Sequence, residues 1–274
     1  MFKLDSEKQM GKELRAVVVD ALKELMDSDE TIIALDADLG GASGFNNFKK
    51  DHSNQFINVG IAEANMIGVS AGLSLMGYKP FVHTFGPFAT RRVYDQLYIS
   101  GAYAGKSINI YGSDPGFAAG ANGGTHTTLE DVALMRAIPH SIVCDAADAT
   151  QMEWIIKEFS EMTGINYVRG NRKAVKNVYE PGSTFELGKA NVLKEGADLL
   201  LIATGQLVSE TLEVAEHLEE QGHSVTVIDM FTIKPIDREA IKQHASANRL
   251  IGAVLMDTHD EWISSTRKYI KFDQ

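Results

Sequence analysis

Short runs of β-branched and other apolar residues alternate with longer segments of helical period along most of the chain. The run "TIIALDADLG" predicts a strand, and "FINVG" predicts the next one. An apolar helix is predicted to follow over 60–76, with Gly77 ending it. Further strands are predicted at "KPFVHTF", "SINIYGS", "SIVCDA" and "INYVRG", and helices over 90–104, 129–137 and 150–162. This alternation is typical of a mostly parallel sheet with helices on both faces.

Chemically distinctive residues concentrate where these predicted strands end. In parallel sheets, ligands bind in the crevice beyond the carboxyl ends of the strands. The segments at those ends are "DADLGGAS", "NVGIAE", "HTFGPF", "GSDPG", "DAADAT" and "RGNR". We therefore expect a functional site along this edge of the sheet.

A second unit follows the polar linker "RKAVKNVYEPGST". Its first segment, "ADLLLIATGQ", predicts a strand, and the next, "LVSETLEVAEHLEEQG", predicts an amphipathic helix. The segment "SVTVIDMFTIKPID" follows and completes one predicted βαβ unit. Another helix and the strand "LIGAVLMD" complete the pattern. We predict an α/β protein with two doubly wound, mostly parallel-sheet domains, residues 1–175 and 183–274.

The composition narrows the range of partners. A net charge of −11 and a pI near 5.2 argue against nucleic acid or an anionic membrane as the main partner. The one cysteine, Cys144, excludes an intrachain disulfide, and its apolar neighbours predict core packing. No apolar run approaches the ~18 residues of a membrane span. These features predict a soluble, cytoplasmic protein.

Glu63 is the one charged residue in the apolar segment "FINVGIAEANMIGVSAGLSLMG". A carboxylate in the first turn of a helix can simply face the positive end of the helix dipole, which is worth roughly 0.3–1 kcal/mol. Apolar neighbours such as Ile61 and Met66 argue against that solvated role. A buried carboxylate needs a partner, and such groups concentrate at functional sites.

Six segments in the same order resemble one enzyme family. They are "DADLGGAS", "GIAEANM", "HTFGPFATRRVYDQ", "GGTHTTLEDVALMRAIPHSIV", "YVRGNR" and "IATGQLVSETLEVAEHLEEQGHSVTVIDMFTIKPID". Together they resemble the pyrimidine-binding and C-terminal domains of transketolase-like enzymes, which depend on thiamine diphosphate. The resemblance covers about residues 11 to 256 and is strongest to the C-terminal subunit of a transketolase split into two chains.

The resemblance implies a cofactor pocket. In this family a glutamate hydrogen-bonds N1′ of the cofactor's aminopyrimidine, and Glu63 matches that residue. Phe85 matches the aromatic residue that stacks on the aminopyrimidine, and Phe88 and Ile61 are expected to line the same pocket. Phe85 is favoured over Phe88 for the stacking role, and plain core packing remains the alternative for both.

The resemblance also implies substrate contacts. His126, in the Gly-rich loop "GGTH", matches a family histidine that contacts the sugar and is counted with Glu63 as catalytic. Asn122 stands where many relatives carry an aspartate that binds a donor hydroxyl. One of two arginines is expected to bind a substrate phosphate, Arg172 being the closer match. The full set of expected substrate contacts is His83, Asp38, Ser43, Asn122, Arg172 and Arg169, with turn formation the alternative for Asp38 and Ser43.

The chain departs from the family pattern in two places, and the first departure implies a partner. Relatives hold the diphosphate and Mg²⁺ through a "GDG" sequence followed by an asparagine, and no "GDG" occurs here. We therefore expect no metal site in this chain and an N-terminal transketolase subunit that holds the diphosphate and Mg²⁺. A homodimer built on the pyrimidine domain, and an α2β2 assembly with that subunit, are expected. The C-terminus "ISSTRKYIKFDQ" lacks the family's glycines after His259, which predicts a shortened last domain.

Three functions remain open on these residues. The favoured one is transfer of a two-carbon ketol unit between sugar phosphates. The β subunit of a 2-oxo acid dehydrogenase E1 component shares the two-domain plan, although "GGTHTTLEDVALMR" and "MFTIKPID" are more typical of transketolases. A non-catalytic scaffolding subunit that has kept the pocket is the third.

Overall fold

The computed structural model describes residues 1–254, apart from the side chains of residues 119 and 121. Within that range lie thirteen strands, β1 to β13, and ten α-helices, α1 to α10. The strands are Met10–Glu13, Ile32–Asp36, Phe56–Asn58, Lys79–Phe85, Ile108–Ser113, Ile142–Asp145, Ile165–Gly170, Ala174–Lys176, Asn191–Lys194, Leu199–Ala203, Val225–Asp229, Thr232–Lys234 and Leu250–Val254. The helices are Leu14–Ser28, Gly40–Ser43, Phe48–Asp51, Glu63–Leu75, Gly86–Ala89, Tyr94–Gln96, Asp131–Ala137, Ala149–Phe159, Leu207–Glu220 and Arg238–Ala247.

Seven strands form the main sheet, in the order β12-β6-β7-β5-β4-β2-β3. All its neighbours pair in parallel except β12, which runs antiparallel to β6. A second sheet has the order β13-β10-β11-β9, with β9 antiparallel, and β1 pairs with β8 in a small ribbon. The prediction of an α/β fold with two mostly parallel sheets is confirmed. The boundaries 1–175 and 183–274 stay a prediction.

The main sheet is buried on both faces because successive residues of a strand point to opposite sides. Phe81 of β4 packs with α1 and α8 in one core, and the next residue, Val82, packs with α4 in the other. The sequence pattern does not predict the long helix α1, which supplies Leu14, Val18 and Leu22 to the first core. Both faces of the central strands β4, β5 and β7 are thus committed to packing, so functional groups are left to the strand ends.

Two sequence predictions need correction. The continuous helix expected over 90–104 is wrong, because the backbone leaves the helical region at Thr90 (φ −124°, ψ −81°) and Val93 (φ −118°, ψ 12°). That stretch is a 3-10 turn (Arg91–Val93), α6 and a π-helix (Leu97–Tyr103). The segment "SVTVIDMFTIKPID" also does not stay within one βαβ unit, since β11 lies in the second sheet and β12 joins the first.

A buried ionic cluster joins the two sheets. Arg169, at the end of β7, is 0% exposed and places its guanidinium 3.2 Å from Asp131 Oδ1 and 3.0 Å from Asp145 Oδ2. Thr204, just after β10 of the second sheet, donates its hydroxyl to the same Asp145 oxygen at 2.8 Å. Gly205 has a φ of +61°, and a Cβ there would lie 2.3 Å from Asp145 Oδ1. Only glycine adopts this positive φ without strain and leaves room for the carboxylate. The second unit can therefore approach Asp145 closely.

We predict that Arg169→Met lowers the free energy of unfolding by about 3–5 kcal/mol, because it leaves two buried carboxyls without their cation. Urea unfolding followed by circular dichroism measures the change. The matched control is Arg136→Met, whose side chain is exposed on α7; it should cost no more than about 1 kcal/mol. A loss for Arg169→Met as small as that of the control would contradict the structural role of the cluster.

Candidate functional site

Four of the predicted site residues come together at the carboxyl edge of the main sheet. Glu63 follows β3, Phe85 ends β4, His126 lies in the loop after β5, and Arg172 follows β7. These strands are far apart in sequence, and the sheet brings their ends to one edge. The site therefore lies where a parallel sheet usually binds its ligand.

Glu63 is the first residue of α4 and is 5% exposed. The chain leaves β3 through Gly60, whose φ is +73°, and the N–H of Ala62 bonds the Gly60 carbonyl at 2.7 Å. The helix then buries Met66 and Ile67 in the core, which directs its first turn toward the edge of the sheet. This local geometry keeps the carboxyl at the mouth of the helix.

Arg92 is the ion-pair partner of Glu63. Its Nη1 donates to Glu63 Oε1 at 2.6 Å, and its side chain is 45% exposed. The guanidinium carbon also lies 3.7 Å from the centroid of the Phe88 ring. Arg92 therefore connects the carboxyl to the aromatic part of the site.

Three rings form that aromatic part. His126 meets Phe85 at a centroid distance of 5.0 Å and Phe88 at 5.2 Å, both edge to face, and the two phenylalanines are 6.0 Å apart. Gly86 allows this packing, because a Cβ there would lie 2.5 Å from Cγ2 of Thr128. The turn after β4 can thus lie against the loop that carries His126.

Phe88 offers more open surface than Phe85. Phe85 is only 4% exposed, and the Arg172 guanidinium carbon lies 4.6 Å from its centroid. Phe88 is half-buried, and the Arg92 guanidinium that pairs with Glu63 lies over its ring. The less buried of the two rings is therefore that of Phe88, whereas the sequence favours Phe85 for the stacking role, and that ranking stays a prediction.

Arg172 is held by a buried carboxylate. Its Nε pairs with Asp114, which is 1% exposed, and its backbone N–H bonds the other oxygen of that carboxylate at 3.0 Å. The Arg172 side chain is 21% exposed, so part of it is accessible to solvent. An arginine fixed in this way is oriented before any anion arrives.

The remaining predicted residues differ in accessibility. Ile61 is 80% exposed, directly before the Glu63 helix, and Asn122 is exposed in the 3-10 segment Phe117–Asn122. Asp38 is exposed with a φ of +65°, and Asn58 Nδ2 lies 3.4 Å from its Oδ1. These three side chains can reach a ligand at the edge of the sheet.

Two predicted substrate contacts have structural partners instead. Ser43 is 0% exposed, donates its hydroxyl to Asp36 Oδ2 at 3.1 Å and accepts the Phe45 N–H at 3.0 Å. Burial raises the pKa of Asp36, although hydrogen bonds from Leu39 and Ser43 oppose the shift. Arg169 lies in the buried cluster with Asp131 and Asp145. Neither side chain has a surface that a sugar phosphate could reach.

His83 also lies below the site rather than in it. The ring is 0% exposed and packs 5.6 Å from Phe45 and 4.9 Å from Tyr111, centroid to centroid. Neither ring nitrogen has a hydrogen-bond partner among the described residues. Burial, helped by the charge of Arg172, lowers the pKa of His83 to about 3. In this structure the ring offers no surface to a ligand at the edge of the sheet, and its expected substrate contact stays a prediction.

Comparison with known proteins decides the family. The model of the transketolase pyrimidine-binding domain matches residues 11–177, and that of the transketolase C-terminal domain matches residues 188–255. The first match alone spans more than half of the chain. The chain belongs to the transketolase family.

Its similar relatives include two described as transketolase subunits. The chain is 44% identical to the 6-deoxy-6-sulfo-D-fructose transketolase subunit SqwH of Clostridium sp. (strain MSTE9), over 85% of this chain and 72% of that protein. It is 36% identical to an apulose-4-phosphate transketolase subunit of Phocaeicola vulgatus, over 90% of this chain and 83% of that protein. A solved structure described as a split gene transketolase, inactive beta4 tetramer, superposes with a TM-score of 0.82 at 37% identity, covering 89% of this chain and 80% of that one.

The transketolase family depends on thiamine diphosphate, and the site suits one end of that cofactor. Glu63 offers a hydrogen-bond acceptor, and Phe88 offers a flat face beside it. A planar N–H donor fits between the two, since the Arg92 guanidinium makes both contacts. Within residues 1–254 no group of three or more histidine, cysteine or acidic side chains could hold a metal ion, and no helix is long and apolar enough to cross a membrane.

Two residues of the candidate site were not predicted from the sequence. Arg92 lies in the segment "ATRRVYDQ", but nothing in the pattern distinguishes it from Arg91. Asp114 lies in "GSDPG", at a predicted strand end, and the pattern assigns it no partner. The available signal is chemical: a buried Glu63 carboxylate needs a nearby cation, and an Arg172 fixed at a strand end needs a nearby anion.

The buried imidazole predicts a measurable pH dependence. Since folding lowers the pKa of His83 from its usual 6.5 to about 3, the stability it contributes is present above pH 6.5 and is lost as the pH falls toward 3. We predict that, between pH 7 and pH 5, His83 makes the free energy of unfolding of the wild type fall by about 2 kcal/mol. His83→Phe should not show this part of the decrease. Urea unfolding at several pH values tests this. Parallel pH profiles for the two proteins would show that His83 is not held neutral by the fold.

Proposed function

We propose that this chain is the pyrimidine-side subunit of a split transketolase, moving a two-carbon ketol unit between sugar phosphates. The observation that carries the proposal is the buried Glu63 carboxyl, set at a helix start and connected through Arg92 to the half-buried ring of Phe88, which packs against His126. When bound, thiamine diphosphate supplies the carbon nucleophile that accepts the ketol unit. We assign residues 1–175 as the pyrimidine-binding domain and 183–274 as the transketolase C-terminal-like domain.

The chain's own residues take distinct roles in this proposal. Glu63 accepts the N1′ hydrogen bond of the aminopyrimidine, and Phe88, with Phe85 behind it, supports the ring from one side. His126 stands at the edge of the same aromatic group, where its imidazole can hydrogen-bond the sugar carbonyl or hydroxyls. Asn122, Asp38 and Ile61 line the outer part of the site, and their exposure suits contacts to a substrate that enters from solvent.

The diphosphate end of the cofactor and its Mg²⁺ are assigned to an N-terminal partner subunit. Support comes from the relatives, two of which are described as transketolase subunits and one as a split gene transketolase. That solved relative is described as a beta4 tetramer. We propose self-association of this chain at least to a dimer, and an α2β2 assembly when the partner is present.

The donor sugar has to be found by experiment. The two named relatives differ in their ketose, one being described for 6-deoxy-6-sulfo-D-fructose and the other for apulose 4-phosphate. A suitable panel contains both of these and xylulose 5-phosphate, each with an aldose phosphate as acceptor. Pyruvate with an artificial electron acceptor tests the 2-oxo acid dehydrogenase alternative on the same assembly. No turnover with any donor, although cofactor binds, would favour the scaffolding alternative.

We predict that Glu63→Ala, assembled with the partner, loses more than about a hundredfold in turnover, in the range typical for removing a proton-transfer group. Glu63→Gln should keep more cofactor affinity than activity, because an amide still fits the space and can hydrogen-bond. Steady-state kinetics and isothermal titration with thiamine diphosphate measure the two effects. Circular dichroism of the variants provides the folding control. Wild-type turnover by Glu63→Ala would contradict the proposed role and leave Glu63 as a helix-terminal charge.

We predict that Arg172→Ala raises KM for phosphorylated acceptors more than for their unphosphorylated analogues, as expected for lost ground-state binding. Arg172→Lys keeps a charge near Asp114 but loses the planar fork, so it should fall between wild type and Arg172→Ala. Lys173→Ala is the matched control, because Lys173 is an exposed neighbouring cation. Equal losses with both acceptor types would instead indicate that Arg172 acts structurally, through Asp114 and Phe85.

A further inference from the structure

The contacts of Arg92 have a specific geometry. One terminal nitrogen of its guanidinium donates to Glu63 Oε1 at 2.6 Å, while the guanidinium carbon lies 3.7 Å from the Phe88 centroid. A guanidinium is flat and delocalised, and it stacks on aromatic faces while donating in its own plane. Arg92 is therefore at the same time a stacked group on Phe88 and an N–H donor to the Glu63 carboxyl.

An aminopyrimidine ring would make the same two kinds of contact. It is a flat group, and by the function proposed above its N1′ shares a hydrogen bond with Glu63 while its face lies on an aromatic ring. Phe85 cannot readily offer that face, because it is only 4% exposed, whereas Phe88 is half-buried. The Phe88 face beside Glu63 is thus the available position, and in this structure the Arg92 guanidinium lies there.

We propose that Arg92 acts as an internal plug of the aminopyrimidine position. In the chain without cofactor it stacks on Phe88 and pairs with Glu63, and it must move away before thiamine diphosphate can bind. This inference rests on the proposed function and adds a regulatory step to it: cofactor and Arg92 compete for one carboxylate and one ring.

The physical setting suits a reversible plug. Without a cation, Glu63 would be a carboxylate that is 5% exposed with no charged partner, which is costly. Arg92 removes that cost, yet its side chain is 45% exposed, so it can swing into solvent without disturbing the core. The turn that carries it is packed against the core, since Thr90 before it and Val93 after it are both 0% exposed. Movement is therefore confined to the side chain.

The adjacent arginine provides a matched control. Arg91 lies on the same 3-10 turn and has an exposed side chain (52%). Within the described part of the chain its ion pair is with Glu130, at 2.7 Å, and not with Glu63. Arg91→Ala and Arg92→Ala remove the same charge from neighbouring positions, so a difference between them reports the plug and not the net charge.

The experiment measures binding and not turnover. Isothermal titration with thiamine diphosphate and Mg²⁺ is carried out on the chain assembled with its partner, for wild type, Arg92→Ala, Arg92→Lys and Arg91→Ala. If the plugged state is the major one, apparent affinity is reduced by the fraction that is open, and Arg92→Ala should bind about tenfold more tightly. Arg92→Lys, which cannot stack as a flat fork, should show a smaller gain, and Arg91→Ala should match wild type. Arg92→Lys also keeps the test available if Arg92→Ala does not fold.

The outcomes separate the plug from the proposed function. Cofactor binding by wild type with equal or weaker binding by both Arg92 variants would overturn the plug and leave the function standing. Tighter binding by the Arg92 variants, including binding seen in them alone, supports the plug. If neither wild type nor either Arg92 variant binds thiamine diphosphate, the proposed function fails, and the plug fails with it.

Discussion

The buried pairing of Arg169 with Asp131 and Asp145 is the interaction on which the arrangement of the molecule depends. It joins the end of β7, the end of β6 and the start of α7, the helix that follows the His126 loop. The same Asp145 carboxylate accepts a hydroxyl from Thr204 of the second sheet. Since a buried carboxylate is costly without partners, each of these elements is constrained to the position where the charges are matched.

The packing of the main sheet explains how the candidate site can be assembled from distant segments. The two apolar cores cover both faces of the main sheet, so the strand ends are where polar groups can reach a ligand. Glu63 begins α4, Phe88 lies in α5 and His126 lies in the loop after β5, so each comes from a different segment beyond those ends. The site is therefore a product of the sheet's topology and not of any one motif.

Charge pairing then distinguishes side chains that can bind a ligand from side chains that only stabilise the fold. Arg169 lies fully buried between two carboxylates, whereas Arg172 is held by one buried carboxylate and keeps a side chain that is 21% exposed. Glu63 is nearly buried, yet its partner Arg92 is almost half exposed. An ion pair with one accessible member can be exchanged for a ligand, and a fully buried one cannot without a large desolvation cost.

Sequence alone determined the α/β class, most strands to within a residue or two, and the Glu63 helix, because strand and helix periods are local properties of the chain. It also placed Glu63, Phe85 and His126 in one site through strand ends and family motifs. Tertiary structure decided what local patterns cannot contain. It moved β12 into the first sheet, buried His83 and Arg169, and brought Arg92 onto Phe88. Each of these depends on which distant groups meet, and burial and charge pairing are settled only when the whole chain has packed.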